Sequence, residues 1–102
     1  MKISILMCVK NSMPYVMASI NSFNNQTYKN KELIIIYSNS NDQTIKYLNN
    51  INNKSIKLLK YEGTVYESLN YGFKHSSGNL IGILHSDDVF FDNETLKNIA
   101  SK

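Results

Sequence analysis

The hydrophobic pattern changes period several times along the chain, and each change marks an element. Lys2–Val9 (KISILMCV) is a short apolar run rich in β-branched residues, which reads as a strand buried on both faces. Ser12 is placed to cap a helix opening near Pro14, and Val16, Ile20 and Phe23 then recur at helical spacing. Asn24–Lys31 is polar and breaks the pattern. Glu32–Tyr37 (ELIIIY) predicts a second strand, its consecutive isoleucines again calling for cover on both faces. Ser38–Asp42 is a polar turn, with Asn41 or Asp42 as cap of a helix whose stripe is Ile45, Leu48 and Ile51. After the polar linker Asn49–Asn53, Ser55–Lys60 (SIKLLK) predicts a third strand. Val65–His75 carries Tyr66, Leu69 and Phe73 at helical spacing, and Gly78 follows as a turn residue. Asn79–His85 (NLIGILH) predicts a fourth strand. A last short helix, about Glu94–Ser101, takes Asp92 or Asn93 as its cap.

Strands alternating with helices predict an α/β fold with a mostly parallel sheet and right-handed crossovers. Ligands of such sheets sit beyond the carboxyl ends of the strands. Three polar segments should therefore share one edge: Lys10–Ser12, Ser38–Asp42 and His85–Asp88. The pattern proposes a site before any chemistry is considered.

Composition narrows the partners. At 102 residues the chain fits one domain, 1–102, and 42% hydrophobic with 19% charged residues fits a globular rather than a disordered chain. No apolar run approaches the roughly 20 residues of a membrane helix. Met1–Val9 is too short, and too soon followed by polar residues, for a signal peptide. The single cysteine, Cys8, excludes an internal disulfide and a Cys-only metal cluster, which suits a reducing, cytoplasmic compartment. The net charge of +3 comes from eleven lysines spread along a chain without arginine, so no basic stripe for nucleic acid forms. Without arginine there is no bidentate clamp either. Any phosphate must be held by lysine, backbone N–H groups or a metal.

The strongest chemical signal is His85-Ser86-Asp87-Asp88, directly after a buried strand. Adjacent carboxylates repel unless a cation or hydrogen bonds compensate. Mg²⁺ or Mn²⁺, which prefer oxygen ligands plus substrate phosphates, would compensate; alternatively one of the aspartates caps the turn. Cys8 within an apolar strand reads as packing, and His85 as a ligand, a base or a plain polar group at a strand end. Val9–Pro14 contains no glycine, so the dinucleotide fingerprint is absent after the first strand, and no Walker loop occurs.

Four stretches in register resemble the N-terminal half of a family 2 glycosyltransferase. Ser4–Asn11 (SILMCVKN) is similar to the family's opening strand, and Asn25–Ile36 (NQTYKNKELIII) to its Gln-Thr-Tyr-x-Asn-x-Glu lead into the second. Ser68–Gly78 (SLNYGFKHSSG) resembles its Ala-x-Asn-x-Gly helix, and Leu80–Phe90 (LIGILHSDDVF) its strand and acidic motif. The resemblance implies a truncated glycosyltransferase A fold, a Rossmann-like three-layer sandwich with a sheet of about four strands. It implies a nucleotide diphosphate sugar, of uridine type, bound with Mg²⁺ or Mn²⁺, and inverting transfer to a glycan, lipid or protein acceptor. By position it makes Asp88 the metal ligand, with Asp87 beside it on the ribose or the metal. Cys8, Val9, Lys10 and Asn11, with Ser38 and Ser40, are expected to face base and ribose.

The sequence departs from the family at three places. Tyr37-Ser38-Asn39-Ser40-Asn41-Asp42 keeps Ser40 and Asp42 but lacks the leading carboxylates, Lys10 replaces an aromatic, and His85 stands where Asp or Asn is usual. The acceptor-binding half and its catalytic base are expected to lie outside these residues. The rival reading is a non-catalytic remnant that serves as a binding or assembly module. A flavodoxin-like regulatory domain would need an acidic pocket near the start of the chain, and Met1–Ser12 contains no Asp or Glu. The sheet edge that the second half covers is expected to be free and open to a second copy or a partner chain.

Overall fold

A computed structural model describes all 102 residues. The elements are β1 (Ile3–Val9), α1 (Tyr15–Asn24), β2 (Lys31–Tyr37), α2 (Thr44–Asn49), β3 (Ile56–Lys60), α3 (Val65–Lys74), β4 (Leu80–Ile83) and α4 (Thr95–Ala100). The strands form one parallel sheet in the order β3-β2-β1-β4. β1 and β2 are therefore central, which is why the two most apolar runs are buried along nearly their whole length. The outer side of β4 is unpaired in this chain, and Leu80 and Ile83 are exposed there.

Alternation along the central strands divides the core in two. Ile3, Ile5, Met7, Val9, Leu33 and Ile35 face one side, where Val16, Ile20 and Phe23 of α1, Leu48 of α2 and Leu96 of α4 complete the larger core. Leu6, Ile34 and Ile36 face the other, beneath Leu69 and Tyr71 of α3. The result is the expected three-layer α/β sandwich.

The face of α3 differs from the predicted stripe. Leu69 packs inward, but Tyr66 is 82% and Phe73 58% exposed, while Ser68 and Gly72 are the buried positions. The reason is distance. The helix lies so close to the sheet that a Cβ on Gly72 would stand 2.5 Å from Ile36 Cδ1. Long sheet side chains fill the gap, so the helix face must be small. We expect Gly72→Val to lower stability by about 2 kcal/mol through overpacking. Gly72→Ala should cost much less, because its helix propensity gain of about 1 kcal/mol offsets the contact. Urea midpoints of the two variants check this; equal midpoints would contradict the close approach.

The ends of the elements also differ in detail. Pro14, not Ser12, occupies the cap position of α1, and the Ser12 carbonyl accepts from Val16 N. The hydroxyl of Ser12 is engaged elsewhere, as described below. α2 stops at Asn49, so Ile51 packs from the following loop. β4 ends at Ile83, leaving His85 outside the strand and exposed. Asp42 and Asp92 do act at helix starts, but as turn acceptors, from Thr44 N at 2.9 Å and Glu94 N at 2.9 Å.

Candidate nucleotide site

The three polar segments meet at the carboxyl edge of the sheet and are stitched together by hydrogen bonds. Asn11 takes a φ of 48°, in the left-handed region that asparagine tolerates. Its backbone N–H donates to Ser40 Oγ at 2.9 Å, and its side-chain oxygen accepts from Asn41 N at 2.6 Å. Met13 N donates to Asp42 Oδ2 at 3.2 Å, and Ser12 N to Thr44 Oγ1 at 3.0 Å. Thr44 donors hold the Asp42 carboxyl below the usual range. The third segment joins through Ser12 and Ser86, whose hydroxyls lie 2.9 Å apart.

The acidic segment is fixed from below by α1. The hydroxyl of Ser19 is buried and lies 2.9 Å from Ser86 O, with Asp88 O also in hydrogen-bond contact. Ser22 Oγ accepts from Phe90 N at 3.2 Å. Gln26, from the Gln-Thr-Tyr stretch, is a buried clamp. Its amide nitrogen donates to Asp92 O at 2.5 Å and its oxygen accepts from Leu96 N at 2.9 Å. A buried amide fully used in this way costs little and ties the chain after β4 to the end of α1.

Two adjoining cavities open above these loops and share Cys8, Lys10, Val65 and Ser86. The first, about 230 Å³, is bordered also by Val9, Ile36, Ser38, Tyr61, Gly63 and Ser68. The second, about 350 Å³, is more polar, with Asn11, Ser12, Tyr15, His85 and Asp87 on its walls. Together they fall within the roughly 300–1,000 Å³ typical of small-ligand sites. Lys10 is the one cation on either wall, and Asp87 the one carboxylate. Burial pushes the Cys8 thiol up, which disfavours its thiolate.

Most of the residues singled out in the sequence border this crevice: Cys8, Val9, Lys10, Asn11, Ser38 and Asp87. Two do not. Ser40 is spent on latching the first two loops, and Asp88 stands outside both linings. A fourth segment, from Tyr61 after β3 to Val65 at the start of α3, joins the edge instead. The same carboxyl-edge rule points to it, since it follows a strand. Its Thr-x-x-Glu signature also forms a capping box: Thr64 Oγ1 accepts from Glu67 N at 3.1 Å, and Glu67 Oε1 from Thr64 N at 2.8 Å. The Thr64 donors hold the Glu67 carboxyl below its usual range.

The oxygen donors suit a cation bound jointly with a ligand. No group of three or more His, Cys, Asp or Glu side chains gathers into a dedicated metal cage. A single lining carboxylate, Asp87, could hold Mg²⁺ only with substrate phosphates and water completing its shell.

Residues 4–102 match the sequence model of a family described as Glycosyl transferase family 2. The chain belongs to that family. Among relatives, it is 36% identical over 91 residues to an uncharacterized glycosyltransferase of Haemophilus influenzae, covering 85% of this chain and 28% of that protein. It is 34% identical over 100 residues to UDP-Glc:alpha-D-GlcNAc-diphosphoundecaprenol beta-1,3-glucosyltransferase WfgD of Escherichia coli, covering 96% of this chain and 40% of that one. Among solved structures, S. aureus TarS 1-349 superposes with a TM-score of 0.89 at 28% identity, over 99% of this chain and 32% of that one. TarS 1-349 in complex with UDP-GlcNAc superposes with a TM-score of 0.88 at 27% identity, over 99% and 30%. This family 2 chain thus has the glycosyltransferase A architecture and spans less than half the length of these relatives.

Proposed function

We propose that the crevice binds a nucleoside diphosphate sugar, of uridine type, and that this chain is the donor-binding part of an inverting glycosyltransferase. The observation that carries the reading is the pairing of the two cavities. A smaller one whose walls include Val9, Ile36, Val65 and Tyr61 suits a nucleoside, and a more polar one with Asp87, sharing Lys10, suits a diphosphate and cation. TarS, whose fold this chain shares, has been solved with UDP and with UDP-GlcNAc. WfgD is named for a UDP-Glc donor.

In this reading the Lys10 ammonium meets the phosphates, since no arginine exists to do so. Asp87, with Asp88 beside it, would hold Mg²⁺ or Mn²⁺. Such a cation would offset the diphosphate charge and so favour departure of the diphosphate from the sugar. Ser38 offers the base a neutral acceptor where the family commonly has a carboxylate. An acceptor hydroxyl attacks the anomeric carbon from the face opposite the leaving diphosphate and inverts its configuration. That hydroxyl must lose its proton to a base within hydrogen-bond reach. The base and the acceptor site belong to further chain, in the same protein or in a partner covering the open edge of β4. No helix is long and apolar enough to cross a membrane. We place the reaction in the cytoplasm, the reducing compartment that a lone cysteine, Cys8, suits.

Calorimetric titration with UDP, with and without Mn²⁺ and with GDP as control, tests the reading. Manganese-dependent binding of UDP in preference to GDP is the expected result. Failure to bind either nucleotide would leave the non-catalytic module as the better account. Ligand at about 100 times Kd should also raise stability by about 2.7 kcal/mol in a thermal-shift experiment.

A further inference from the structure

The first cavity has one aromatic wall, Tyr61, and that ring is held in place before any ligand arrives. Its backbone N–H donates to Tyr37 O at 3.0 Å, so the residue continues the β2–β3 ladder beyond Lys60. Tyr71 of α3 stacks on the ring with centroids 4.7 Å apart and planes inclined by 24°. Tyr71 is in turn backed by His75, 4.5 Å away. Gly63 comes so close to the ring edge that a Cβ there would stand 2.7 Å from Tyr61 Cε2. A ring fixed by a stacked partner and a tight backbone loses little freedom when a second flat group lies against it.

We infer that Tyr61 is the stacking wall for the nucleobase, supplied from just after β3 in a chain where Lys10 follows β1. The inference rests on the nucleotide reading of the crevice and adds the residue that recognises the base. The remaining walls of this cavity are aliphatic, thiol, hydroxyl and ammonium groups, and there is no arginine plane to substitute. A nucleobase buried there needs a π face, and Tyr61 is the group that has one. Ser38 borders the same cavity and offers a hydroxyl to the base edge. A ring that only filled the gap between β3 and α3 would affect stability without distinguishing ligands that carry a base from those that lack one.

The test compares UDP with pyrophosphate, both in the presence of Mn²⁺, on the wild-type chain and on Tyr61→Leu and Tyr61→Phe. Stacking predicts that Tyr61→Leu binds UDP roughly 5- to 150-fold more weakly while pyrophosphate affinity is unchanged. Tyr61→Phe should bind both as the wild type does. Retained pyrophosphate binding also shows that the leucine variant is folded. A second readout needs no variant. The ring protons of Tyr61 should shift in NMR spectra on adding UDP but not on adding pyrophosphate. Unchanged UDP affinity in Tyr61→Leu, equal weakening of both ligands, or static ring protons would overturn the role of Tyr61. No UDP binding by the wild-type chain would overturn the nucleotide reading as well.

Discussion

Asp87→Ala is expected to weaken manganese-dependent UDP binding by roughly 100-fold or more, because loss of a direct ligand exceeds the 10–100-fold seen for supporting groups. The carboxylate borders the polar cavity beside Lys10, Asn11 and His85. Asp88, next in the chain, has its backbone committed to the loop: its N–H donates to His85 O at 3.0 Å and its carbonyl meets the Ser19 hydroxyl. Its side chain stands outside the cavity wall, so Asp88→Ala should cost less than about tenfold. The stronger form of the prediction concerns sign. Without metal, a carboxylate beside a diphosphate is repulsive, so Asp87→Ala should leave UDP binding unchanged or improve it. Folding stability should change by less than about 0.5 kcal/mol, since the side chain is exposed. Calorimetry of both variants with and without Mn²⁺ decides the matter. A larger loss at Asp88 would move the ligand there, and small losses at both would remove the metal from the account.

Glu32→Gln should be the more damaging change for the fold. Glu32 is the second residue of β2, at the end of the sheet opposite the crevice, and its side chain is almost wholly buried. Burial by itself disfavours the charge. It is outweighed by donors from Ser4 Oγ at 2.6 Å and Ser77 N at 2.8 Å, with Lys57 Nζ 3.3 Å from the other oxygen. Lys2 Nζ lies 3.5 Å from that same oxygen, which accepts no hydrogen bond of ordinary geometry. The net effect holds the carboxyl down at about 2, against its ordinary 4.5.

A depressed acid stabilises the fold fully above its unfolded pKa and loses that contribution as the pH falls toward the folded value. Glu32 therefore contributes about 3 kcal/mol above pH 4.5, fading toward pH 2. The glutamine variant should lose about that much at pH 7, a large share of the roughly 5–15 kcal/mol typical of a small domain. The gap between variant and wild type should narrow below pH 4.5 and close near pH 2. Urea denaturation across that range is the measurement, and a gap independent of pH would assign the loss to packing instead. The lysines are half exposed, so Lys57→Ala should cost less than about 1 kcal/mol.

The glutamate network also shows what the Gln-Thr-Tyr-x-Asn-x-Glu stretch does in this chain. Its first residue, Gln26, anchors the segment after the acidic loop, and its last, Glu32, gathers Ser4, Ser77 and Lys57 at the base of the sheet. The motif was legible in the sequence as a family resemblance. Its physical work was not, because every one of these partners lies on another element.

Local order in the chain was enough to determine the elements and the edge at which they would meet a ligand. Runs such as ELIIIY can be satisfied only in a central strand, and parallel strands bring their following loops to one side. Lys10–Ser12, Ser38–Asp42 and His85–Asp88 were therefore placed together by periodicity alone. Tertiary packing decided which side chains at that edge face the crevice. Ser12 left the expected cap to meet Ser86, Ser40 became a latch, and Asp87 rather than Asp88 reached the cavity wall. It also turned α3 so that Ser68 and Gly72, not Tyr66 and Phe73, met the sheet. Periodicity reports which residues are apolar, but the distance between layers is set by the side chains of both. That distance exists only once Ile36 and Gly72 are in contact.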